Sequence, residues 1–248
     1  MTQNLSSKVV WITGAGSGIG RAMALAFAGA GAAVALTARN RGALAAVEDA
    51  ITEAGGAAQI VPGDVTDRAA MAGIVTAIGE RFGRLDVLCA NAGLNRPRRY
   101  WADMADDPAA AWAEWDEVIE VNLRGALNCI APALVPMRAQ GGGQVIVTAS
   151  WAGRYPSKIA GVSYGAAKHA VVDVCASINA QEGRHGIRAT ALNPAEVATP
   201  LLMKRPGFDP ALAEAMIQPQ DMADTALYVA RMNPRVAVHE ITLAPLRT

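Results

Sequence analysis

The sequence predicts an α/β fold, a single Rossmann-type doubly wound domain with a mainly parallel central sheet flanked by helices. Three observations carry this. Short apolar runs of strand length alternate with segments of helical periodicity, the pattern of repeated βαβ units with right-handed crossovers. Glycine-rich or polar clusters follow several of these runs, where a parallel sheet gathers its ligands at the carboxyl ends of its strands. Finally, 248 residues with 52% hydrophobic and 18% charged content can bury a large core, and no shift in composition marks a second domain.

The elements follow in order. Residues 9–13 (VVWIT) are apolar, partly β-branched, and run straight into glycines, so they read as a buried strand. Residues 21–29 are helical, and 33–37 form the second strand after a glycine turn. A helix over 42–53 precedes a strand over 59–62 that stops at Gly63-Asp64. Residues 69–82 are helical, and 85–90 form a fourth strand ended by Asn91-Ala92-Gly93. A long helical pattern covers 114–138, followed by a strand over 144–148. A helix over 164–182 leads to a strand over 188–192, closed by Asn193-Pro194. Residues 211–215 and 221–231 are helical, and 240–244 make the last strand. One domain spans 1–248, with substrate-specificity segments at about 94–114 and 200–218.

Lys+Arg and Asp+Glu both number 22, so no basic excess exists to neutralise phosphates and a nucleic-acid partner is not expected. The longest uncharged stretch, 22–38, holds Gly29 and Gly31 and falls short of the ~20 apolar residues of a membrane span. With a short polar N-terminus, this reads as a soluble cytoplasmic chain with no membrane partner. Cys89, Cys129 and Cys175 are odd in number and form no CxxC pair, and His169, His185 and His239 are isolated. Reduced thiols and no metal site are the expectation.

Three clusters carry chemistry. Gly14, Ser17, Gly18, Ile19 and Gly20 lie in a GxxxGxG pattern directly after the first strand. Glycines let the backbone approach a pyrophosphate, and the following helix offers free N–H groups and a positive dipole end. At the end of the second strand, Thr37-Ala38-Arg39-Asn40 contains no acid to bind a ribose 2′-hydroxyl, whereas the Arg39 guanidinium suits a 2′-phosphate. NADP(H) is therefore favoured over NAD(H), the plain alternative being a solvated arginine. Tyr164 and Lys168 stand at i and i+4 on one helical face, where an ammonium would lower the tyrosine pKa. Ser150, just past the fifth strand, would lie at the same sheet edge and donate to a developing oxyanion.

Taken together, the chain resembles the short-chain dehydrogenase/reductase family over nearly its whole length. The matching motifs are Thr13 to Gly20, Asn91-Ala92-Gly93, Asn122 within Val121-Asn122-Leu123, Ser150 in Ser-Trp-Ala-Gly, Tyr164-Gly-Ala-Ala-Lys168, and Asn193-Pro194 followed by Val197 and Thr199. The resemblance implies an oxidoreductase interconverting a carbonyl and a secondary alcohol. In it Tyr164 is the general acid or base, Lys168 lowers the tyrosine pKa and binds the nicotinamide ribose, Ser150 polarises the substrate oxygen, and Asn122 holds a relay water. It also implies that Gly14, Ser17, Gly18, Ile19, Gly20, Arg39, Asn40, Asp64, Val65, Asn91, Ala92, Gly93, Tyr164, Lys168, Pro194, Val197 and Thr199 hold the cofactor. A homotetramer built on the two long helices is implied as well. The family alternatives are an NAD-dependent alcohol dehydrogenase or a 3-oxoacyl reductase. A non-catalytic dinucleotide-binding sensor should have lost one of Asn122, Ser150, Tyr164 or Lys168, and all four are present.

Some features depart from the family pattern. The Ser150-to-Tyr164 spacing is one residue longer than usual, position 195 is Ala where Gly is common, and the 94–114 segment is extended. That segment contains Arg96, Arg98 and Arg99. They either pair with Asp103, Asp106 and Asp107 in a solvated loop or orient an anionic substrate.

Overall fold

The computed structural model describes residues 4–205 and 207–246. Its elements in chain order are β1 (Val9–Thr13), α1 (Gly18–Gly29), β2 (Ala33–Thr37), α2 (Arg41–Glu53), β3 (Ala57–Ile60), α3 (Arg68–Phe82), β4 (Val87–Ala90), α4 (Asp103–Asp106), α5 (Pro108–Ile119), α6 (Gly125–Ala139), β5 (Gly143–Thr148), α7 (Val162–Glu182), β6 (Ile187–Pro194), α8 (Pro200–Met203), α9 (Pro219–Ala230) and β7 (Glu240–Leu243). The seven strands form one sheet in the order β3-β2-β1-β4-β5-β6-β7, parallel at every pairing. The order reverses between β1 and β4, which opens a crevice at the carboxyl edge.

Alternation along the strands sorts the core onto two faces. Val10, Ile12, Val34, Leu36 and Cys89 pack with α1, α2 and α9 through Phe27, Leu44 and Met222. Trp11, Ala35, Leu88, Val145 and Val147 pack with α3, α6 and α7 through Ile78, Met137 and Val171. Trp11 is fully buried, and its indole N–H donates to Thr37 Oγ1 at 2.8 Å, which in turn donates to the Val61 carbonyl at 2.9 Å.

The boundaries differ from the sequence reading at several places, each for a local reason. Strand β3 lies at 57–60 rather than 59–62, because Pro62 has no N–H to continue a ladder. Strand β4 starts at Val87 because the Asp86 carboxylate instead collects Lys8, Arg84 and the Val9 N–H. Strand β6 extends to Pro194, and residues 211–215 sit in a 3₁₀ segment, Pro210–Ala215. The long helix begins at Pro108, six residues early, where the Asp107 side chain accepts from the Ala110 N–H and proline occupies the first turn. It also widens into a π-helical turn over Glu120–Arg124. This run, Pro108–Ala139, is long and apolar enough by length and composition to cross a membrane. It instead lays Trp115, Val118, Cys129, Ile130 and Met137 into the globular core, as a core helix does.

Candidate active site

The crevice begins where β1 must turn into α1. Gly14 and Gly18 have φ of +66° and +50°, a region that favours glycine. A Cβ at Gly20 would lie 2.2 Å from the Gly14 carbonyl oxygen and 2.7 Å from Asn91 Nδ2, so the turn is packed too closely for any other residue. Ser17 is extended at the N-terminus of α1 and its side chain does not cap the helix. The first-turn N–H groups and the positive dipole end are thus available to an anion.

Three strand ends are locked together behind this turn. Thr13 Oγ1 accepts from the N–H groups of Asn91 (3.0 Å) and Ala92 (3.1 Å), and Asn91 Nδ2 donates to the Thr13 carbonyl at 3.1 Å. Thr148 Oγ1, at the end of β5, donates to Asn91 Oδ1 at 2.9 Å. The groove in front is lined by Gly14, Ser17, Arg39, Asn40, Asp64, Val65, Ala92 and Gly93 of the expected cofactor set. Gly16, Thr37, Ala38, Ala43, Gly63, Leu94 and Val121 line it too. Gly16 was readable from the glycine motif and Val121 adjoins Asn122 in its motif, whereas Leu94 is one apolar residue among many and has no local pattern to mark it. Gly20 and Asn91 form the wall behind the groove rather than its lining, and Ile19 leans into the core. Thr199 packs against Gly18, with its Cγ2 3.2 Å from where a Cβ there would stand. Val197 is buried and bridges to Ile217, and Pro194 closes β6.

At the outer end, Arg39 is largely exposed and lies 3.7 Å from Asp64 Oδ2. Partial burial pushes the Asp64 carboxyl up, but the Thr66 backbone N–H and hydroxyl, with Arg39, outweigh it and hold the group below its ordinary value. Asp116, Glu117 and Glu120 face the same arginine across an adjoining cavity.

At the inner end, Asn122 is buried in the π-helical turn. Its Nδ2 donates to the carbonyls of Leu94 (2.7 Å) and Val118 (2.9 Å), while Oδ1 is buried with no hydrogen-bond partner among the described residues. Lys168 is also buried, and its Nζ donates to the Thr148 carbonyl at 2.7 Å. Both side chains converge on Gly93, where a Cβ would stand 2.7 Å from Asn122 Oδ1 and 3.6 Å from Lys168 Nζ. Burial pulls the Lys168 pKa down from 10.5 to about 8. Ser150 Oγ accepts from the Ala152 N–H at 3.1 Å, opening a 3₁₀ turn that rests on α7. The contact is close: a Cβ on Gly153 would meet the Lys168 carbonyl oxygen at 2.7 Å.

The expectation of a Tyr164 pKa below its ordinary value is corrected: the net shift is upward. Desolvation raises the value and a hydrogen bond with Ser150 only partly offsets it. The Lys168 ammonium donates to the Thr148 carbonyl and lies 5.6 Å from the centre of the phenol ring. The arginine cluster departs from the pairing with Asp103, Asp106 and Asp107. Glutamates on α5 take two of the guanidiniums, Arg96 with Glu117 and Arg98 with Glu114. Asp103 accepts the N–H groups of Arg99 and Tyr100, and Asp107 caps α5. Among the described residues, no three His, Cys, Asp or Glu side chains are grouped to hold a metal. The three cysteines are free and buried.

Residues 8–208 match the family model described as short chain dehydrogenase. The chain belongs to this family. Like other short-chain dehydrogenases it is an oxidoreductase of the CH–OH/C=O type, and the family binds a nicotinamide dinucleotide. Levodione reductase of Leifsonia aquatica is 36% identical over 209 residues, covering 81% of this chain and 73% of that protein. Glycine betaine reductase of Emericella nidulans is 36% identical over 97% of this chain, which spans only 19% of that protein's length. The crystal structure of a metagenomic short-chain oxidoreductase in complex with NADP has a TM-score of 0.82 at 30% identity, covering 99% of this chain and 100% of that one. The glycine turn, the open helix N-terminus and the groove running from Arg39 to Gly93 fit a dinucleotide.

Proposed function

We propose that this short-chain dehydrogenase interconverts a carbonyl and a secondary alcohol with NADP(H), using Tyr164 as general acid and base. The observation that carries the reading is the convergence at Gly93. The unpartnered Asn122 Oδ1 and the Lys168 ammonium meet there, at the inner end of a groove built for a dinucleotide. A nicotinamide dinucleotide held in this groove would be the source or acceptor of the hydride.

The chain's own residues handle the proton. With a pKa above its ordinary value, the Tyr164 phenol is protonated at neutral pH and donates to the carbonyl oxygen during reduction. Ser150 shares the developing negative charge. Lys168, anchored on Thr148, keeps its charge near the phenolate that forms, and Asn122 Oδ1 holds a water that returns the proton. Alcohol oxidation runs the same transfers backwards. We extend the proposal to Gly14, Ser17, Gly18, Ile19, Gly20, Asn40, Asp64, Val65, Asn91, Ala92, Pro194, Val197 and Thr199 as the cofactor cradle, and to a homotetramer in the reducing cytoplasm.

The test is nicotinamide absorbance with NADPH and NADH against acetoacetate, ethyl acetoacetate, cyclohexanone and benzaldehyde, with their alcohols in reverse. No turnover on any member with either cofactor counts against the proposal.

A specific observation favours NAD(H) as the second reading: Asp64 already engages Arg39, and three further carboxylates face it. Arg39→Ala separates the two. If Arg39 binds the 2′-phosphate, a charge-assisted contact worth about 1.5–3 kcal/mol disappears. NADPH affinity then falls about 10–100-fold while NADH affinity stays within about twofold, read by nicotinamide fluorescence titration. Equal losses for both cofactors would leave the NAD(H) reading standing.

A further inference from the structure

The arginines at 96 and 98 follow closely on Gly93, yet each is paired within the protein. Arg96 Nε donates to Glu117 Oε2 at 2.6 Å and its Nη2 to Glu117 Oε1, a two-pronged pair. Arg98 gives Glu114 both its backbone N–H (2.7 Å) and its Nη1 (2.8 Å). Glu114 and Glu117 stand at i and i+3 on α5, so they present one face to the segment. Trp115, between them, donates its indole N–H to the Arg98 carbonyl at 3.0 Å.

The two ends of the clamped segment reach the site. Its first residue, Leu94, offers the carbonyl that takes Asn122 Nδ2 at 2.7 Å. Its far end offers the Arg99 carbonyl to the Val162 N–H at 2.9 Å, two residues before Tyr164. Asn95 Nδ2 adds a bond to the Ala160 carbonyl at 2.8 Å. The contact at α7 is intimate: Gly161 has φ +86°, and a Cβ there would lie 2.5 Å from Arg99 Cβ. A segment pinned to α5 at its middle therefore ties Asn122 to the start of the helix that carries Tyr164.

We propose that Arg96 and Arg98, with Glu117 and Glu114, are positioning residues that set the placement of Asn122 relative to Tyr164, and that they do not bind substrate. The proposal rests on the catalytic reading of Tyr164 and Asn122 given above. Exposed ion pairs contribute little to stability, so loss of the clamp acts on geometry before it acts on folding. Small displacements of reacting groups cost rate disproportionately.

The experiment uses the full chain and four variants: R96M/R98M, R96K, the reversed pair R96E/E117R, and Y164F. Each is measured for NADPH binding by fluorescence, for thermal unfolding, and for kcat and KM on acetoacetate, its ethyl ester and the fastest ketone of the panel. R96M/R98M should lose about tenfold in kcat on acid and ester alike, with KM and NADPH affinity within about twofold. R96K should fall between it and the parent, and R96E/E117R should recover kcat to within about threefold. A KM increase confined to acetoacetate would show that the arginines bind substrate and overturn the proposal. An unchanged kcat in R96M/R98M, or a loss that neither R96K nor the reversal relieves, would also overturn it. If R96M/R98M fails to fold, R96K and the reversed pair decide by the same criteria. Retained turnover in Y164F would remove the catalytic reading itself. An inert Y164F beside unaffected clamp variants would remove only the clamp.

Discussion

Tyr164→Phe lowers turnover by about 10²–10⁴-fold while NADPH affinity stays within about twofold. Phenylalanine keeps the ring and deletes only the hydroxyl, so the change isolates proton transfer from shape. The half-buried ring stands against Lys168, and Tyr164 is not among the residues that line the groove. Cofactor binding is therefore untouched in this scheme. The Tyr164 pKa lies above its ordinary value, so the phenol remains a proton donor across neutral pH and reduction should hold its rate there. Steady-state rates in both directions, with fluorescence titration of NADPH, check the result. Turnover within tenfold of the parent would place the proton on another group.

Lys168→Met abolishes most turnover and at the same time removes a pH-dependent penalty from the fold. The buried ammonium has a folded-state value of about 8, against 10.5 for the unperturbed group. Between those values the unfolded chain binds more protons than the folded one, so the parent gains stability as pH rises from about 8 to about 10.5. At neutral pH the full penalty applies, on the order of 3 kcal/mol. Methionine cancels it but strands the Thr148 carbonyl, which costs about 1–3 kcal/mol. The variant should therefore match or exceed the parent at pH 7, and the parent should overtake it as pH approaches 10.5. Urea midpoints at several pH values test this. Parallel pH dependences for the two proteins would mean that the lysine is not held at a depressed value.

The glycine cluster shows why part of the site was legible. Gly14 and Gly18 occupy left-handed backbone, where a side chain would be strained, and a Cβ at Gly20 would run into the Gly14 carbonyl oxygen. Such constraints are local and show in the sequence directly. The alternation of apolar residues likewise announced the strands, since a buried parallel sheet must satisfy its backbone internally and cover both faces. The widened turn at Glu120–Arg124 was not legible, because nothing in Glu-Val-Asn-Leu-Arg distinguishes a π turn from the α-helix on either side. That turn buries Asn122 and leaves its Oδ1 facing Gly93.

The partners of the arginines were out of reach for a different reason. Asp103, Asp106 and Asp107 are near in sequence, but Asp103 and Asp107 satisfy backbone N–H groups, as short acidic side chains at turns and helix starts do. The guanidiniums instead found Glu114 and Glu117, sixteen and twenty-one residues away from Arg98 and Arg96. The direction of the Tyr164 shift was out of reach on the same grounds: the i, i+4 spacing puts Lys168 on its face of the helix, but burial of the phenol by distant segments sets the net shift upward. What the sequence determined by itself was the order of strands and helices, the glycine turn and the family, because these follow from backbone geometry and burial pattern along the chain. The arrangement of the strands across the sheet, the pairing of charges and the protonation behaviour of Lys168 and Tyr164 were decided only in three dimensions, because pairing, desolvation and hydrogen bonding depend on which distant segments meet.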